Sequence, residues 1–231
     1  MTAPRWTWLG DLLGRAGIIV LFTLAASAKS QLIYKSFRDW LASSPDFEML
    51  RLLSEMANLA FLVLIVATTA VRLKPLRSAE GIEPRVTALA GTFAMVLLVR
   101  IPSTGPLSPA FEVFALCLMF TGFSLSAYVL HWLGRSFSIM AEARRLVTAG
   151  PYAIVRHPLY CVEEIAVLGV LLLHLSLPAV LLVAMQWALQ MRRMHNEERV
   201  LAQAFPDYGN YAAKTPRFIP RLGAWPARKP A

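Results

Sequence analysis

Two short segments of the chain carry side chains of the kinds that bind and orient small charged molecules. Residues 156–160 contain an arginine, a histidine and a tyrosine, and residues 193–198 contain an arginine and two adjacent glutamates. A further acidic pair, Glu163 and Glu164, follows the first segment closely. Guanidinium, imidazole, phenol and carboxylate groups together can hold a ligand, orient an acceptor and take up a proton.

The elements between these segments must bring them together. Pro158 suits the first position of a helix, so His157 lies directly before an apolar helix that continues to about residue 175. A turn at 176–178 starts a second helix, and so short a connection predicts a helical hairpin. His157 and Glu197 each lie 20 residues from Leu177, which is roughly 30 Å at 1.5 Å per residue. We therefore expect the segments to meet at the open end of the hairpin.

The composition predicts that this hairpin belongs to a membrane protein. Of the 231 residues, 57% are hydrophobic and 16% are charged, and the mean hydropathy is +0.53. Soluble domains carry about 25% charged residues. Apolar stretches that reach or approach the roughly 20 residues of a membrane span lie at 16–34, 55–72, 86–101, 110–133, 158–175 and 178–195. We predict an all-α fold, a polytopic membrane helical bundle of about six spans.

The basic residues indicate how this bundle is oriented. In a six-span arrangement, 18 of the 23 lysines and arginines fall in connections on one side and five on the other. The positive-inside rule places the basic side, with both termini, in the cytosol. The net charge of +9 then reflects topology and attraction to membrane lipids rather than a nucleic-acid partner. The compact chain without targeting motifs favours a bacterial inner membrane.

At the predicted depth, the polar segments lie at the cytosolic face of the membrane. Each charged residue alone has an ordinary explanation, because carboxylates suit the start of a helix and cations suit its end. Ionisable groups that converge from two helices at a membrane boundary are more typical of a functional site. Gly150-Pro151 is also a turn signal that a simple membrane anchor does not need. We therefore predict a site formed by helix ends and loops.

These residues suit a sulfonium cofactor such as S-adenosylmethionine. Glutamates can accept hydrogen bonds from its amino group or ribose hydroxyls, and backbone N–H groups near a helix start can bind its carboxylate. Tyr152 and Tyr160 can face the sulfonium or the adenine. Methyl transfer is an in-line displacement that depends mainly on positioning and a dry path. The sequence contains no Gly-x-Gly-x-x-Gly motif, which argues against the cofactor site of soluble methyltransferases.

Segments 133–160 and 193–220 resemble the isoprenylcysteine carboxyl methyltransferase family and its relatives, the phospholipid methyltransferases. The resemblance covers roughly residues 130–221 and includes the order of the motifs, their spacing and the hairpin between them. The motifs that carry it are Gly150-Pro151-Tyr152, Arg156-His157-Pro158 with Tyr160, Glu197-Glu198 after Arg193, the aromatic residues Phe205, Tyr208 and Tyr211, and Thr215-Pro216-Arg217-Phe218-Ile219-Pro220.

The resemblance implies S-adenosylmethionine as cofactor, bound on the cytosolic side between the His-Pro loop and the Glu-Glu helix end. It also implies a lipophilic or membrane-associated substrate that arrives laterally from the bilayer. Arg193 falls near the position of an arginine that orients the acceptor, and Glu197 and Glu164 complete the candidate catalytic residues. The expected cofactor-binding residues are Gly150, Pro151, Tyr152, Arg156, His157, Pro158, Tyr160, Glu197 and Glu198.

The chemistry of the methyl acceptor stays open. A carboxylate, as on a prenylated cysteine, is anionic at neutral pH and needs no base, and Arg193 offers a partner for that charge. An amine, as on a phospholipid headgroup, must lose a proton, which Glu164 or Glu197 can accept. A small thiol is the third alternative. The acidic pair Glu163–Glu164 is not expected in every family member, so the resemblance does not identify the acceptor.

Other functional classes were weighed against a methyltransferase. A membrane reductase with a nicotinamide cofactor is the main alternative, because Arg144, Arg145 and Arg156 could bind its phosphates. A transporter is disfavoured, because its polar groups should lie near the bilayer midplane rather than at one face. A scaffold leaves the motifs unexplained.

Two further predictions concern domains and cysteines. We divide the chain into N-terminal transmembrane helices (1–133) and a methyltransferase core (134–231) made of a cytosolic loop, the hairpin and the tail. Cys117 and Cys161 lie in separate apolar segments, where cysteine usually behaves as a small apolar residue. We therefore expect neither a disulfide nor a bound metal.

Overall fold

A computed structural model describes residues 5–43, 48–102, 105 and 107–220. The fold is 76% helical, which confirms the prediction of an essentially all-α protein. Its helices are α1 (Arg5–Ser43), α2 (Glu48–Ala70), α3 (Glu83–Leu98), α4 (Pro109–Leu133), α5 (Pro158–Leu173), α6 (Leu177–Ala204) and α7 (Tyr208–Lys214). Short 3₁₀ turns lie at Gly134–Ser136 and Gly150–Ala153, and two-residue strands lie at β1 (Arg77–Ser78) and β2 (Glu142–Ala143).

Each of the six predicted spans lies on one of the helices α1 to α6. No span extends more than three residues past the end of its helix. In the part of the chain that the structure describes, three helical segments are long and apolar enough to cross a membrane. These are Gly14–Ala42, Met49–Ala70 and Pro109–Ser136. The chain is therefore a membrane protein. The spans at 86–101, 158–175 and 178–195 remain predictions.

Helix α4 lies at the centre of the packing, with α2 on one side and α5 on another, while α1 packs on α2 and α3 packs on α6. Glycines allow the close contact between α4 and α5. A Cβ atom at Gly122 would lie 2.3 Å from the backbone nitrogen of Ala166, and one at Gly169 would lie 2.7 Å from the carbonyl oxygen of Ala115. Small residues at such positions let membrane helices approach closely. The position of α5 against α4 therefore depends on glycine, which has no side chain, at both positions.

Two clusters of buried apolar residues hold the helices together. One joins α1, α2, α4 and α5 and includes Ile18, Phe61, Leu130 and Leu159. The other joins α3, α4, α5 and α6 around residues that include Leu98. Because both clusters include residues of α4 and α5, these two helices connect α1 and α2 with α3 and α6.

The connections at one end of the bundle, which we call the loop end, are tied to one another. The backbone N–H of Leu73 donates to the carbonyl of Arg135 at 2.9 Å, and the Arg135 Nε atom donates to the carbonyl of Val71 at 2.9 Å. Next to this contact, β1 pairs antiparallel with β2, with Arg77 opposite Ala143. The segment that follows α2 thus supports the segment that leads to residues 150–160.

Helices α5 and α6 form the predicted hairpin, but its arms do not pack closely on each other. The connection is short, and the Ser176 hydroxyl caps α6 by accepting from the backbone N–H of Ala179 at 3.4 Å. Each arm packs mainly on a different helix, α5 on α4 and α6 on α3. Side chains bridge the space between the arms, and this open hairpin leaves room for a cavity.

Candidate active site

The carboxylate of Glu198 joins the two polar segments. Its Oε1 atom lies 3.0 Å from Nε2 of His157 and 3.5 Å from Nη1 of Arg156. Arg217 donates to both oxygens, from Nε to Oε1 at 3.0 Å and from Nη2 to Oε2. Burial raises the pKa of Glu198, but the hydrogen bonds from His157 and Arg217 outweigh it and lower the pKa to about 2. The carboxylate is therefore ionised at neutral pH and holds three basic side chains together.

The segment after α7 clamps the loop that carries His157. The backbone N–H groups of Arg156 and His157 donate to the carbonyls of Pro216 and Arg217 at 2.8 and 3.3 Å. The Phe218 ring lies 6.4 Å from the His157 ring, between centroids. These contacts and the Arg217–Glu198 ion pair fix the position of His157 from the C-terminal side.

A second polar contact lies one helical turn further along the hairpin. The Tyr160 hydroxyl donates to Oε1 of Glu197. The guanidinium of Arg193 lies over the Tyr160 ring, 5.2 Å from its centroid, a cation–π geometry. Arg193 also donates to Oε1 of Gln190 at 2.8 Å and to the carbonyl of Ile139 at 3.2 Å. Four contacts, made with Tyr160, Gln190 and Ile139, therefore restrain Glu197 and Arg193.

These polar residues form one end of a cavity of about 450 Å³. The cavity lies between α1 and α2 on one side and α3, α5 and α6 on the other, and the loop after α4 closes its loop end. Its polar end is lined by Tyr152, Arg156, His157, Tyr160, Glu163, Arg193 and Glu197. Its apolar walls include Leu21, Phe22, Phe61, Phe93, Val96 and Val170.

Several buried polar atoms of cavity-lining residues have no partner among the residues that the structure describes. Among them are Ser136 Oγ, Arg156 Nε, Gln186 Oε1 and Arg193 Nε. Buried polar groups are almost always hydrogen-bonded in folded proteins, and an unsatisfied one is destabilising. Polar groups of a bound ligand could satisfy these four atoms. The cavity is therefore suited to a ligand that is polar at the loop end.

The predicted site residues divide into two groups by position. Tyr152, Arg156, His157, Tyr160, Arg193 and Glu197 line the cavity, whereas Gly150, Pro151, Pro158, Glu164 and Glu198 do not contribute to its described walls. Several of the second group act on the first. Pro158 begins α5, directly after His157. Gly150 has φ of +60°, and a Cβ there would lie 2.6 Å from the Trp132 ring. It thus allows the turn that carries Tyr152.

The acidic pair after Tyr160 points in two directions. Oε1 of Glu164 accepts from Nε2 of Gln186 at 3.0 Å, and Oε2 accepts from Nε1 of Trp187 at 2.5 Å. These hydrogen bonds link the two arms of the hairpin. Glu163 lines the cavity instead, because successive residues of an α-helix are rotated by about 100°. Of the two, Glu163 lines the cavity and Glu164 does not, so the catalytic role expected of Glu164 stays a prediction.

The arginines considered for a nicotinamide phosphate do not form an open cluster. Arg144 donates to the carbonyl of Leu73 and, at 2.5 Å, to Oε2 of Glu142. Arg156 pairs with Glu198. Arg145 is exposed at the cavity rim. Two of the three side chains thus have roles within the fold.

Sequence reasoning left several site residues without a role. Arg217 belongs to the motif at residues 215–220, and its charge is the signal that could have suggested a pair with Glu198. Gln186, Gln190 and Ser136 carry no comparable signal, because isolated polar residues in apolar stretches do not reveal which way they point. Within the described residues, no group of three or more His, Cys, Asp or Glu residues could hold a metal ion.

Residues 114–203 match the model of the isoprenylcysteine carboxyl methyltransferase (ICMT) family. This segment begins in α4 and ends at the last turn of α6, so it contains the hairpin and the loop with residues 150–160.

Over these residues the chain is similar to the ICMT family.

Two curated relatives also match the chain over part of its length. One is the cobalt-zinc-cadmium resistance protein CzcN of Cupriavidus metallidurans, 41% identical over 81 residues. The other is the nickel-cobalt-cadmium resistance protein NccN of Alcaligenes xylosoxydans xylosoxydans, 34% identical over 82 residues. Each match covers 35% of this chain and 38% of the relative. The chain therefore matches little more than a third of the length of either relative. The ICMT-like segment supplies α5, α6 and the loop before them. Residues 215–218, which contact the loop that carries His157, lie outside it.

Proposed function

We propose that this protein is a membrane-embedded methyltransferase that transfers a methyl group from S-adenosylmethionine to a membrane-dissolved acceptor. One observation carries the proposal: a single cavity joins a polar end at Tyr160, Arg193 and Glu197 to apolar walls from α1, α2 and α3. Such a cavity suits a polar cofactor and an amphiphilic acceptor side by side. The ICMT-like segment, which forms most of the polar end, supports the same reaction class.

The residues at the polar end fit the proposed cofactor. S-adenosylmethionine supplies an electrophilic methyl group on a positively charged sulfur. Glu197 can accept hydrogen bonds from its ribose hydroxyls or amino group, and the rings of Tyr152 and Tyr160 can face the cation. The unpartnered Ser136 Oγ and Arg156 Nε offer further hydrogen bonds to its polar groups. Glu198 acts at one remove, because it holds His157 and Arg156 in place.

The remaining polar residues can act on the acceptor. Arg193 is held by Tyr160, Gln190 and Ile139, so its position is suited to orienting an acceptor head group. Glu163 lines the same cavity. If the acceptor is an amine or a thiol, its proton passes to Glu163 as the new bond to carbon forms. A carboxylate acceptor needs no proton transfer.

The acceptor can enter from the bilayer between α1 and α3. These helices pack on α2 and α6 respectively, and the cavity lies between the two pairs. Phe93 and Val96 of α3, and Val99 directly after it, line the cavity and are 41%, 51% and 50% exposed. Apolar side chains that face both the cavity and the outside suit a lipophilic molecule that enters sideways. The distribution of basic connections supports a loop end that faces the cytosol, where the cofactor is available, and a bacterial inner membrane is part of the proposal.

Calorimetric titration with S-adenosylhomocysteine tests the cofactor assignment. We expect the full-length protein in mild detergent to bind it, and Glu197→Gln to weaken binding roughly tenfold or more through the loss of charge-assisted hydrogen bonds. Glu80→Gln is the matched control, because Glu80 is exposed and outside the site. Absence of binding by the folded wild-type protein would overturn the proposal, and the nicotinamide cofactors would be tested next. Equal affinity of wild type and Glu197→Gln would overturn the assignment of Glu197.

A further inference from the structure

Lys29 and Glu55 form a charged pair between α1 and α2. Nζ of Lys29 donates to Oε2 of Glu55 at 2.5 Å, and each side chain is 21% exposed. Both residues fall inside segments long and apolar enough to span a membrane, Gly14–Ala42 and Met49–Ala70. Ionisable residues within such segments are rare and usually mark a functional site.

The cavity extends from the polar end to Lys29, whose partner Glu55 is not part of the described cavity wall. Phe22 of α1 packs with the cluster that contains Tyr152 and Leu159, so this part of α1 lies next to the site. Further along α1, Lys29 also lines the cavity. Between Leu21 and Lys29, α1 advances eight residues, or about 12 Å.

The other wall of this extension comes from α2. Asn58 lines the cavity at the same end as Lys29, and Phe61, Leu62 and Ile65 continue the wall toward the loop end. Glu55 lies one turn before Asn58 on α2. The cavity thus has polar side chains at both ends and apolar side chains between them.

We propose that Lys29, Glu55 and Asn58 form a second polar subsite for the acceptor, and that the acceptor is an amphiphile with a polar group at each end. The inference rests on the proposed function for the methyl-accepting end. The Lys29 ammonium has three donor hydrogens and Glu55 takes one. An acceptor oxygen, in a hydroxyl, carbonyl or carboxylate group, takes another. An apolar chain joins the two polar groups, along a wall that includes the roughly 12 Å of α1 between Leu21 and Lys29.

A purely structural role of the pair predicts different behaviour. Polar contacts between membrane helices stabilise their association, so a simple tie between α1 and α2 would affect the stability of the fold without selecting a ligand end group. Its removal would weaken the binding of all cavity ligands to a similar extent. A subsite, in contrast, determines which ligand end group is preferred.

Two long-chain carboxylates of equal length, one ending in a methyl group and one in a hydroxyl group, distinguish these roles. Their binding to the full-length protein in detergent is measured by thermophoresis. We expect the wild-type protein to bind the hydroxyl-ended compound roughly fivefold more tightly, the effect of about one buried hydrogen bond. Lys29→Met should abolish this preference. Lys35→Met, an exposed position on the same helix, should retain it.

A second variant covers the case in which Lys29→Met does not fold because Glu55 is left unpaired. Lys29→Met combined with Glu55→Met removes both charges and should also lose the preference. Equal binding of the two compounds by the wild type, a preference that survives in the folded variants, or no binding of either compound would each overturn the subsite. S-adenosylhomocysteine binding is measured on the same samples. Normal S-adenosylhomocysteine binding without an end-group preference overturns the subsite alone, whereas absence of S-adenosylhomocysteine binding by the folded wild-type protein overturns the proposed function.

Discussion

Nε2 of His157 lies 3.0 Å from Oε1 of Glu198, although 41 positions of the chain separate the two residues. The contact closes the open end of the hairpin, because His157 precedes α5 and Glu198 belongs to the last part of α6. Arg217 reaches the same carboxylate from the segment after α7. Three separate parts of the sequence are thus held together by one ionised side chain.

The lowered pKa of Glu198 predicts that the protein loses stability at acidic pH. Burial raises the pKa of Glu198, but hydrogen bonds from His157 and Arg217 lower it from the usual 4.5 to about 2. The folded protein therefore binds this proton less tightly than the unfolded chain. The stabilisation is complete above the unfolded pKa and is lost as the pH falls through the folded one. We expect the unfolding temperature of the wild-type protein to fall between about pH 5 and pH 2, and Glu198→Gln to reduce that fall.

Thermal unfolding in detergent across this pH range is the measurement. Glu80→Gln, which removes an exposed carboxylate, should follow the wild-type curve. Parallel curves for the wild type and Glu198→Gln would show that this carboxylate is not the source of the acid sensitivity.

Arg217 is expected to position the cofactor site without lining it. Arg217→Ala removes the ion pair with Glu198 and loosens the clamp on His157, so S-adenosylhomocysteine should bind more weakly. Arg217→Lys should restore only part of the affinity, since lysine cannot donate to both oxygens in the same fork geometry. Lys214→Ala, an exposed position in the same region, should bind as the wild type does. The affinity for S-adenosylhomocysteine is measured by calorimetry. Unchanged affinity in Arg217→Ala would refute a positioning role.

Gly150 is expected to tolerate no side chain. Its φ of +60° and the Trp132 ring, 2.6 Å from the position of a Cβ, predict that Gly150→Ala destabilises the protein by roughly 1–3 kcal/mol. Gly209→Ala is the control, because a Cβ there has no neighbour within 4 Å. Adding Trp132→Leu to Gly150→Ala should recover part of the loss by relieving the steric overlap. Unfolding in denaturant gives the values, and equal stability of the two alanine variants would contradict the geometry.

The two glutamates after Tyr160 should have different effects on catalysis. With an amine or thiol acceptor, Glu163→Gln should lower kcat roughly a hundredfold, because it removes the proton-accepting group from the cavity. Glu164→Gln weakens the hydrogen bonds to Gln186 and Trp187 and should mainly lower stability. With a carboxylate acceptor, Glu163→Gln should have little effect on kcat. Steady-state kinetics and unfolding measurements separate these outcomes, and a selective loss of kcat in Glu164→Gln would show that the roles are reversed.

The sequence carried clear information about the helices and about which segments meet. Long apolar stretches predict membrane helices because the bilayer requires internally hydrogen-bonded segments of a set length. Pro158 and the turn at 176–178 define the hairpin, and equal spacing on both sides of Leu177 predicts that His157 and Glu197 share one end. In the structure Tyr160 contacts Glu197 and His157 contacts Glu198. These features depend on local geometry, and local geometry can be read from residue order.

Tertiary structure decided the rest. Which of Glu163 and Glu164 faces the cavity depends on the rotation of α5, which is set by the close approach of Gly122 to the α5 backbone and of Gly169 to the α4 backbone. The opening between the hairpin arms depends on the packing of α5 on α4 and α6 on α3. The ion pairs of Glu198 with Arg217 and of Lys29 with Glu55 join residues whose separation follows no local period. Contacts between helices far apart in the chain are determined by side-chain packing, which no single segment of the sequence specifies.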